Sequence, residues 1–222
     1  NELYEPANAV VLVKENATAK FDETVELHLK TGLDGRHADQ QIRGSVVLPH
    51  GIGRELRVLV FAEGEAATLS IEAGADEVGG DELIQRVADG YLDFDVALAQ
   101  RELMGKVGSL GRVLGPRGLM PNPRTNTVLL TGDLARGVKE AKAGRVDFRL
   151  DRTNLLHCII GKASFEPDKL VDNLRAMIGE IVRSRPTGTK GQMIRGATLT
   201  STMGPGVGLD VGQMLALAAE SA

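Results

Sequence analysis

The residues best suited to chemistry are concentrated in a segment rich in glycine and proline, residues 105–124. The segment holds five glycines and three of the chain's eight prolines. Because glycine raises the entropy cost of ordering and proline removes backbone donors, we expect an exposed loop rather than a long helix or a central strand. Its cationic side chains, which suit phosphate groups, are Lys106, Arg112, Arg117 and Arg124.

A second polar group lies near the carboxyl-terminal end, at Thr200, Ser201 and Thr202, and is followed by the turn Met203-Gly204-Pro205. Hydroxyl and backbone groups of this kind suit the 2′-hydroxyls and base edges of an RNA minor groove. A Thr-rich edge strand whose polar residues only keep it soluble is the alternative. The residue pattern alone leaves both interpretations open.

Motifs for nucleotide binding and catalysis are incomplete. The glycines follow G-x-x-G-x-x-G spacing, which is not the dinucleotide fingerprint, and Gly161-Lys162 lacks the other residues of a P-loop. One cysteine and four scattered histidines give no zinc spacing. We therefore expect no catalytic residue, no metal and no cofactor, and we expect Cys158 to be a buried structural thiol.

The elements that position these residues begin with a helix predicted over 6–17 and a strand predicted over 24–30. Polar and apolar residues alternate strictly in the strand, so its polar side chains share one exposed face. That face consists of Thr24, Glu26, His28 and Lys30. Another strand is predicted over 42–48, and it ends at the turn residues 49–53.

The pattern then changes to alternating strands and helices, which predicts a small parallel α/β unit. Short apolar runs typical of buried parallel strands lie at 58–61, 94–98 and 128–130. Helices are predicted over 65–73, 81–88 and 133–143, the last two with Asp81 and Asp133 as N-caps.

After Gly144 the strand-rich pattern returns. The runs 145–150 and 155–160 are predicted to pair with each other. A helix is predicted from Pro167, with Leu170, Leu174, Met177, Ile178 and Ile181 on its apolar face. A Thr-rich strand follows over 193–202.

This order predicts an α/β unit inserted into an α+β domain. Residues 1–50 and 145–222 would form one domain and residues 51–144 the other. Both crossings contain glycine, which permits large backbone rotations, so Gly51, Gly53 and Gly144 are predicted hinges.

Charge is unevenly distributed along the chain. The net charge of −4 by itself argues against nucleic-acid binding. However, residues 55–100 carry two basic and eleven acidic side chains, whereas residues 101–145 carry nine basic and three acidic ones. The first residue is Asn1 and not Met, so we expect further N-terminal residues. The single cysteine fits a reducing, cytoplasmic compartment, and no apolar run approaches the roughly 20 residues of a membrane span.

Five segments, in order along nearly the whole chain, resemble the large-subunit ribosomal L-one family, which forms the mobile stalk. They are Thr18 to Thr24, Arg43 to Gly51, the Gly- and Pro-rich segment, Gly161 to Phe165, and Thr202 to Pro205. The Gly- and Pro-rich segment is one residue shorter than the family pattern near Ser109, where a lysine is expected.

The resemblance implies a split α+β domain formed by both chain ends, with an inserted Rossmann-like α/β domain. It implies that the first domain binds a helical junction of large-subunit ribosomal RNA and that the stalk assists release of deacylated tRNA from the exit site. It also implies repression of translation from the protein's own mRNA. The protein would be a monomer within the cytoplasmic ribosome, with no membrane partner and no enzyme activity.

By position, the resemblance assigns RNA contacts to Lys20, Phe21, Thr24, Thr202, Met203 and Gly204. The exposed-face argument adds Glu26, His28 and Ser201, and the four cations of residues 105–124 are expected to contact RNA or tRNA. The alternative left open is a two-domain small-ligand-binding protein or enzyme whose cleft closes at the glycines. Only RNA binding predicts a strong dependence on salt.

Overall fold

The structure is a computed structural model that describes residues 2–189 and 191–219. The chain forms two compact units, the first from Asn1–Gly53 and Arg145–Ala222 and the second from Arg54–Gly144. Residues 51–53, expected in the insertion, lie instead with the first unit. Ile52 is buried, and the carbonyl of Gly51 accepts a hydrogen bond from the Asn173 side chain at 3.0 Å.

Helices and strands alternate irregularly along the chain. The helices are α1 (Pro6–Glu15), α2 (Glu65–Glu72), α3 (Asp81–Ala88), α4 (Met104–Val107), α5 (Gly111–Leu114), α6 (Leu134–Lys142), α7 (Pro167–Arg183) and α8 (Val211–Ala219). The strands are β1 (Thr24–Thr31), β2 (Arg43–Val47), β3 (Val58–Phe61), β4 (Glu77–Gly79), β5 (Val96–Gln100), β6 (Val128–Leu129), β7 (Arg145–Arg149), β8 (Leu155–Lys162), β9 (Ile194–Ser201) and β10 (Val207–Leu209). Short 3-10 helices lie at Arg101–Leu103, Gly108–Leu110, Pro123–Thr125 and Thr131–Asp133.

The first unit is built on an antiparallel sheet with strand order β10-β9-β1-β8. Its central strand β1 alternates as predicted: Val25, Leu27 and Leu29 are fully buried, and the intervening residues are partly or fully exposed. Helices α1 and α7 contact this sheet and each other. The polar residues of β1 therefore lie on the face away from the core.

Helix α7 follows its predicted pattern. It begins with Pro167 in its first turn, and the apolar residues predicted for one face are all buried. Val211–Ala219 form the last described helix, α8. No helix in the described part of the chain is both long and apolar enough to cross a bilayer.

The predicted pairing of 145–150 with 155–160 is wrong. A turn at Asp151 to Asn154 joins the two strands, yet β7 pairs antiparallel with β2 and β8 pairs antiparallel with β1. Both strands show the alternation expected of a half-buried strand. Alternation identifies the buried face but not the partner strand, so this choice was not readable from the local pattern.

The second unit contains a parallel sheet with strand order β4-β3-β5-β6, which confirms the predicted parallel α/β character. One apolar cluster involves α3 and the residues from Leu103 to Leu114, and the other involves α2 and α6. The strand predicted over 94–98 lies two residues later, at β5. Asp95 precedes it and accepts a hydrogen bond from the backbone N–H of Arg57 at 3.0 Å.

The loop predicted over 105–124 is wrong for its first half. Residues 101–114 form successive short α and 3-10 turns, and the apolar residues Leu103, Val107, Leu110 and Leu114 are buried along one side. A Cβ atom at Gly105, Gly108 or Gly111 would contact no other residue. Burial of one apolar side therefore outweighs the helix-breaking tendency of the glycines. From Pro116 to Pro121 the segment is a loop, as expected.

Neither predicted N-cap forms. Asp81 is the first residue inside α3, after Gly80, and its carboxylate pairs with Lys106. Asp133 stands at the N-cap of α6 without a capping hydrogen bond. Its backbone is helical because a 3-10 turn runs directly into α6, whereas a capping side chain needs an extended backbone.

Candidate nucleic-acid interface

Strands β1 and β9 bring two distant chain segments together at one end of the sheet. Val25 is registered opposite Ser201, so the residues that follow β9 lie beside Thr24. The backbone N–H of Thr24 donates to Oγ1 of Thr202 at 2.9 Å, and that hydroxyl lies 3.4 Å from the carbonyl oxygen of Thr24. The Thr202 side chain thus continues the hydrogen bonding between the strands.

Glu23 organises this end of the sheet. It is 1% exposed, and its two carboxylate oxygens accept from the backbone N–H groups of Ala19 and Met203, each at 2.9 Å. These backbone hydrogen bonds hold the pKa of Glu23 below its ordinary value. One carboxylate therefore fixes the segment before β1 against the turn after β9. The sequence analysis missed this role, because nothing in the local pattern distinguishes Glu23 from other acidic residues.

Gly204 in the turn after β9 packs closely against the Ser201 side chain. A Cβ atom there would lie 2.4 Å from Oγ of Ser201, and backbone of Asn16 is also close. The hydroxyl of Thr200 donates to the carbonyl of Ser201 at 2.9 Å and also lies 3.2 Å from the carbonyl of Gly204. The turn is thus closed by internal contacts before any ligand binds.

This fixed scaffold leaves two large apolar side chains in solvent. Phe21 is 54% exposed and Met203 is 73% exposed. Lys20 is exposed beside Phe21, and Nζ of Lys162 donates to Oγ1 of Thr24 at 3.0 Å. Lys162 was not among the predicted site residues, although it lies in a segment that carries the family resemblance. We call this set the strand-end surface: Lys20, Phe21, Thr24, Lys162, Thr202, Met203 and Gly204.

The polar face of the sheet continues from the strand-end surface along β1. Glu26 and His28 are partly exposed, and Nδ1 of His28 lies 2.7 Å from Nδ1 of His157 on β8. The pKa of His28 is lowered, first by burial and then by repulsion from His157, while Glu26 opposes both. The ring nitrogens of these two imidazoles can donate hydrogen bonds to a polar ligand or accept them from it.

The exposed-face argument for Ser201 is wrong. Ser201 is 2% exposed, because it is registered opposite the buried Val25 and points toward the core. Thr200, registered opposite Glu26, occupies the partly exposed position instead. Successive residues of a strand alternate between faces, so only one of two adjacent residues shares the face of Glu26.

In the second unit, the four expected cations differ in their surroundings. Nζ of Lys106 lies 2.6 Å from the Asp81 carboxylate, and this hydrogen bond raises the pKa of Lys106. Arg112 lies on α5, Arg117 in the following loop and Arg124 in a 3-10 helix, and all three are exposed. Lys106 is therefore partly committed within the protein, and the arginines are accessible to anions.

The three predicted hinge glycines have left-handed backbone conformations. The φ angles are 66° at Gly51, 78° at Gly53 and 98° at Gly144. Side chains with a Cβ rarely adopt this region, which explains glycine at these positions locally. At Gly53 a Cβ would also approach Lys162 within 2.6 Å.

The single cysteine of the chain has a structural role. Cys158 is buried in β8, as predicted, and burial raises the pKa of its thiol to about 12. Within residues 2–189 and 191–219, no group of His, Cys, Asp and Glu side chains is arranged to hold a metal ion.

Comparisons with known proteins point to one family. The model of the ribosomal protein L1p/L10e family matches residues 13–205. The large ribosomal subunit protein uL1 of Dehalococcoides mccartyi is 55% identical over 94% of this chain and 88% of its own length. The uL1 protein of Beutenbergia cavernae is 55% identical over 100% of this chain and 92% of its own length. The uL1 protein of Chloroflexus aggregans is 54% identical over 95% of this chain and 90% of its own length. The protein is thus a structural component of the cytoplasmic ribosome and not an enzyme, and the chain belongs to the ribosomal protein L1p/L10e family.

Proposed function

We propose that the first unit binds large-subunit ribosomal RNA through the strand-end surface. The observation that carries this proposal is the exposure of Phe21 and Met203 on segments fixed by Glu23. A rigid mount keeps the entropy cost of ordering low when a ligand binds. Two large apolar side chains that a fixed backbone exposes to water can bind a ligand without first being ordered.

The chemistry of the surface favours RNA. An aromatic ring or a thioether packs on the face of an unstacked base, and the ammonium groups of Lys20 and Lys162 attract phosphates. Glu26 accepts hydrogen bonds from amino groups of bases or from 2′-hydroxyls, and Thr200 and His28 offer further polar groups. RNA presents bases, phosphates and 2′-hydroxyls together, which matches this mixture.

The finer roles are proposals of the same kind. Arg112, Arg117 and Arg124 would bind RNA phosphates from the second unit, and in the assembled stalk this unit would face deacylated tRNA in the exit site. The protein's own mRNA would occupy the strand-end surface in place of ribosomal RNA, so that binding represses translation. The protein would act as a monomer within the ribosome.

We also propose that Gly51, Gly53 and Gly144 act as hinges between the units. The test is energy transfer between labels at Lys169→Cys and Glu72→Cys, which are exposed helix positions. Cys158 is buried and need not be replaced. The distance distribution should narrow when RNA binds, whereas one narrow distribution with and without RNA would exclude hinge motion.

The central test is filter binding of the full chain to ribosomal RNA. The double variant Phe21→Ala, Met203→Ala should bind at least about tenfold more weakly, because each stacked base contributes roughly 1–3 kcal/mol. A matched control removes the exposed apolar residues Val11 and Val182 on the helices, by Val11→Ala and Val182→Ala. Equal affinities of the two double variants would contradict the proposed surface. Own mRNA should compete with ribosomal RNA for the wild-type protein.

A further inference from the structure

Three arginines surround a depression at the other end of the sheet from the strand-end surface. The depression has a volume of about 690 Å³. Its lining includes Arg36 from the loop after β1, Arg149 at the end of β7 and Arg152 in the turn before β8. All three arginines are exposed. We call this set the arginine cluster.

The cluster carries more positive charge than its surroundings neutralise. No salt bridge joins the three guanidinium groups to a carboxylate in the described part of the chain. Asp151, which also lines the depression, accepts from the hydroxyl and N–H of Thr153 and from the N–H of Leu155. Asp34 accepts from the backbone N–H of Arg36 and lies 3.8 Å from His37. These neutral donors leave both carboxylates charged, so the three guanidinium groups exceed Asp151 and Asp34 by one positive charge.

The backbone that carries the cluster is fixed by internal contacts. The N–H of Gly35 donates to the side-chain oxygen of Asn154 at 2.8 Å, and the Gln41 amide donates to the carbonyl of Gly35 at 3.1 Å. A Cβ at Gly35 would lie 2.6 Å from the carbonyl oxygen of Asp151. The loop after β1 therefore packs tightly on the turn before β8, and this contact brings Arg36 to Arg149 and Arg152.

A chain of contacts connects the cluster to the polar sheet face. The Asp151 carboxylate lies 3.8 Å from His157, which contacts His28. Strand β8 begins beside the cluster at Leu155 and ends at Lys162 in the strand-end surface. At about 3.3 Å per residue the two surfaces are roughly 23 Å apart. A ligand that reaches both must be extended.

We propose that Arg36, Arg149 and Arg152 bind phosphate groups of the RNA held at the strand-end surface. The inference rests on the proposed function, and it adds a second contact at the opposite end of the same sheet. Guanidinium groups suit this task because their planar donors match phosphate oxygens in pairs. An RNA backbone supplies the anions, and its length matches the separation of the two surfaces.

The experiment measures the binding of ribosomal RNA to the full chain between about 50 and 200 mM salt. The variant under test is the triple substitution Arg36→Gln, Arg149→Gln, Arg152→Gln. The control is Lys169→Gln, Arg183→Gln, Arg185→Gln, which removes the same charge on and just after α7. Log affinity falls as log salt rises, and each lost phosphate contact makes this negative slope shallower by about 0.7–0.9. The slope of the cluster variant should therefore be shallower by about 2–3, and the control should match the wild type.

Three outcomes separate the two proposals. A shallower salt slope in the cluster variant alone supports the arginine cluster. Equal slopes in the cluster and control variants, with binding still sensitive to Phe21→Ala and Met203→Ala, overturn the cluster and leave the strand-end surface standing. Failure of the wild type to bind ribosomal RNA would overturn both. Circular dichroism melting of each variant establishes that the fold is retained.

Discussion

Thr202 uses its hydroxyl group within the protein rather than keeping it free for a ligand. It accepts from the N–H of Thr24 and lies near the carbonyl of the same residue. Both carboxylate oxygens of Glu23 likewise accept hydrogen bonds from backbone N–H groups. The exposed apolar residues Phe21 and Met203 depend on these two for their position. Thr202 and Glu23 therefore act by positioning apolar residues.

Replacing Thr202 separates its hydroxyl from its bulk. Thr202→Val keeps the volume and loses the hydrogen bonds to Thr24, so the free energy of unfolding should fall by about 0.5–1.5 kcal/mol. RNA affinity should fall as well, because the turn that holds Met203 is loosened. Thr202→Ser retains the hydroxyl and should stay close to the wild type in both measurements. Urea unfolding and filter binding provide the comparison, and equal losses in the two variants would rule out a role for the hydroxyl.

His28 predicts a pH dependence of stability. Its folded-state pKa is lowered from 6.5, first by burial and then by His157. The neutral ring therefore contributes stability that is present above pH 6.5 and is lost as the pH falls through the lowered value. Groups near it are Glu26, His157 and, through His157, Asp151.

The variant His28→Gln isolates this contribution. The free energy of unfolding of the wild type minus that of His28→Gln should decrease from pH 7.5 to pH 5. The reason is that His28 gains a proton at a higher pH in the unfolded chain than in the folded chain. Urea unfolding at several pH values measures this difference. A difference that stays constant over the range would show that His28 is not destabilised in its charged form.

Among the elements, the turns between Arg101 and Leu114 show how packing overrides composition. Buried residues on one side hold a helical path that the glycines by themselves would not favour. The exposed cations Lys106 and Arg112 lie on these turns. Their backbone is consequently helical where the sequence predicted an exposed loop.

Two substitutions distinguish a helical path from a loop. Gly105→Ala points into open space within α4 and should stabilise the second unit by about 0.5–1 kcal/mol. Leu110→Ala removes a buried side chain and should destabilise it by roughly 2–5 kcal/mol. Thermal unfolding followed by far-ultraviolet circular dichroism tests both. A destabilising Gly105→Ala would indicate that residue 105 is not helical.

At the scale of the whole molecule, the first unit draws on both ends of the chain and has its own sheet and helices. We predict that a chain lacking residues 54–144, with residues 53 and 145 joined by a short flexible linker, folds and binds ribosomal RNA. The reason is that the strand-end surface and the arginine cluster both lie outside the deleted residues. Circular dichroism and filter binding measure the two properties, and a folded deletion variant without affinity would make the second unit essential for binding.

The sequence by itself determined those features that depend on local periodicity. Alternation in β1 identified its buried and exposed faces, the apolar run gave β3, and the spacing of apolar residues in α7 gave its packed side. Ordered motifs also identified the family. These signals succeed because burial of one face repeats with the period of the element itself.

Only the tertiary structure decided which distant residues meet. The carboxylate of Glu23 holds Met203, which is 180 residues away in the sequence, and His28 meets His157 across 129 residues. The tertiary structure also determines that β7 pairs with β2 and that Ser201 is buried. It likewise groups Arg36 with Arg149 and Arg152. Local periodicity indicates that a face is buried, but the partner that buries it depends on strand order and register, which are set by the packing of the entire core.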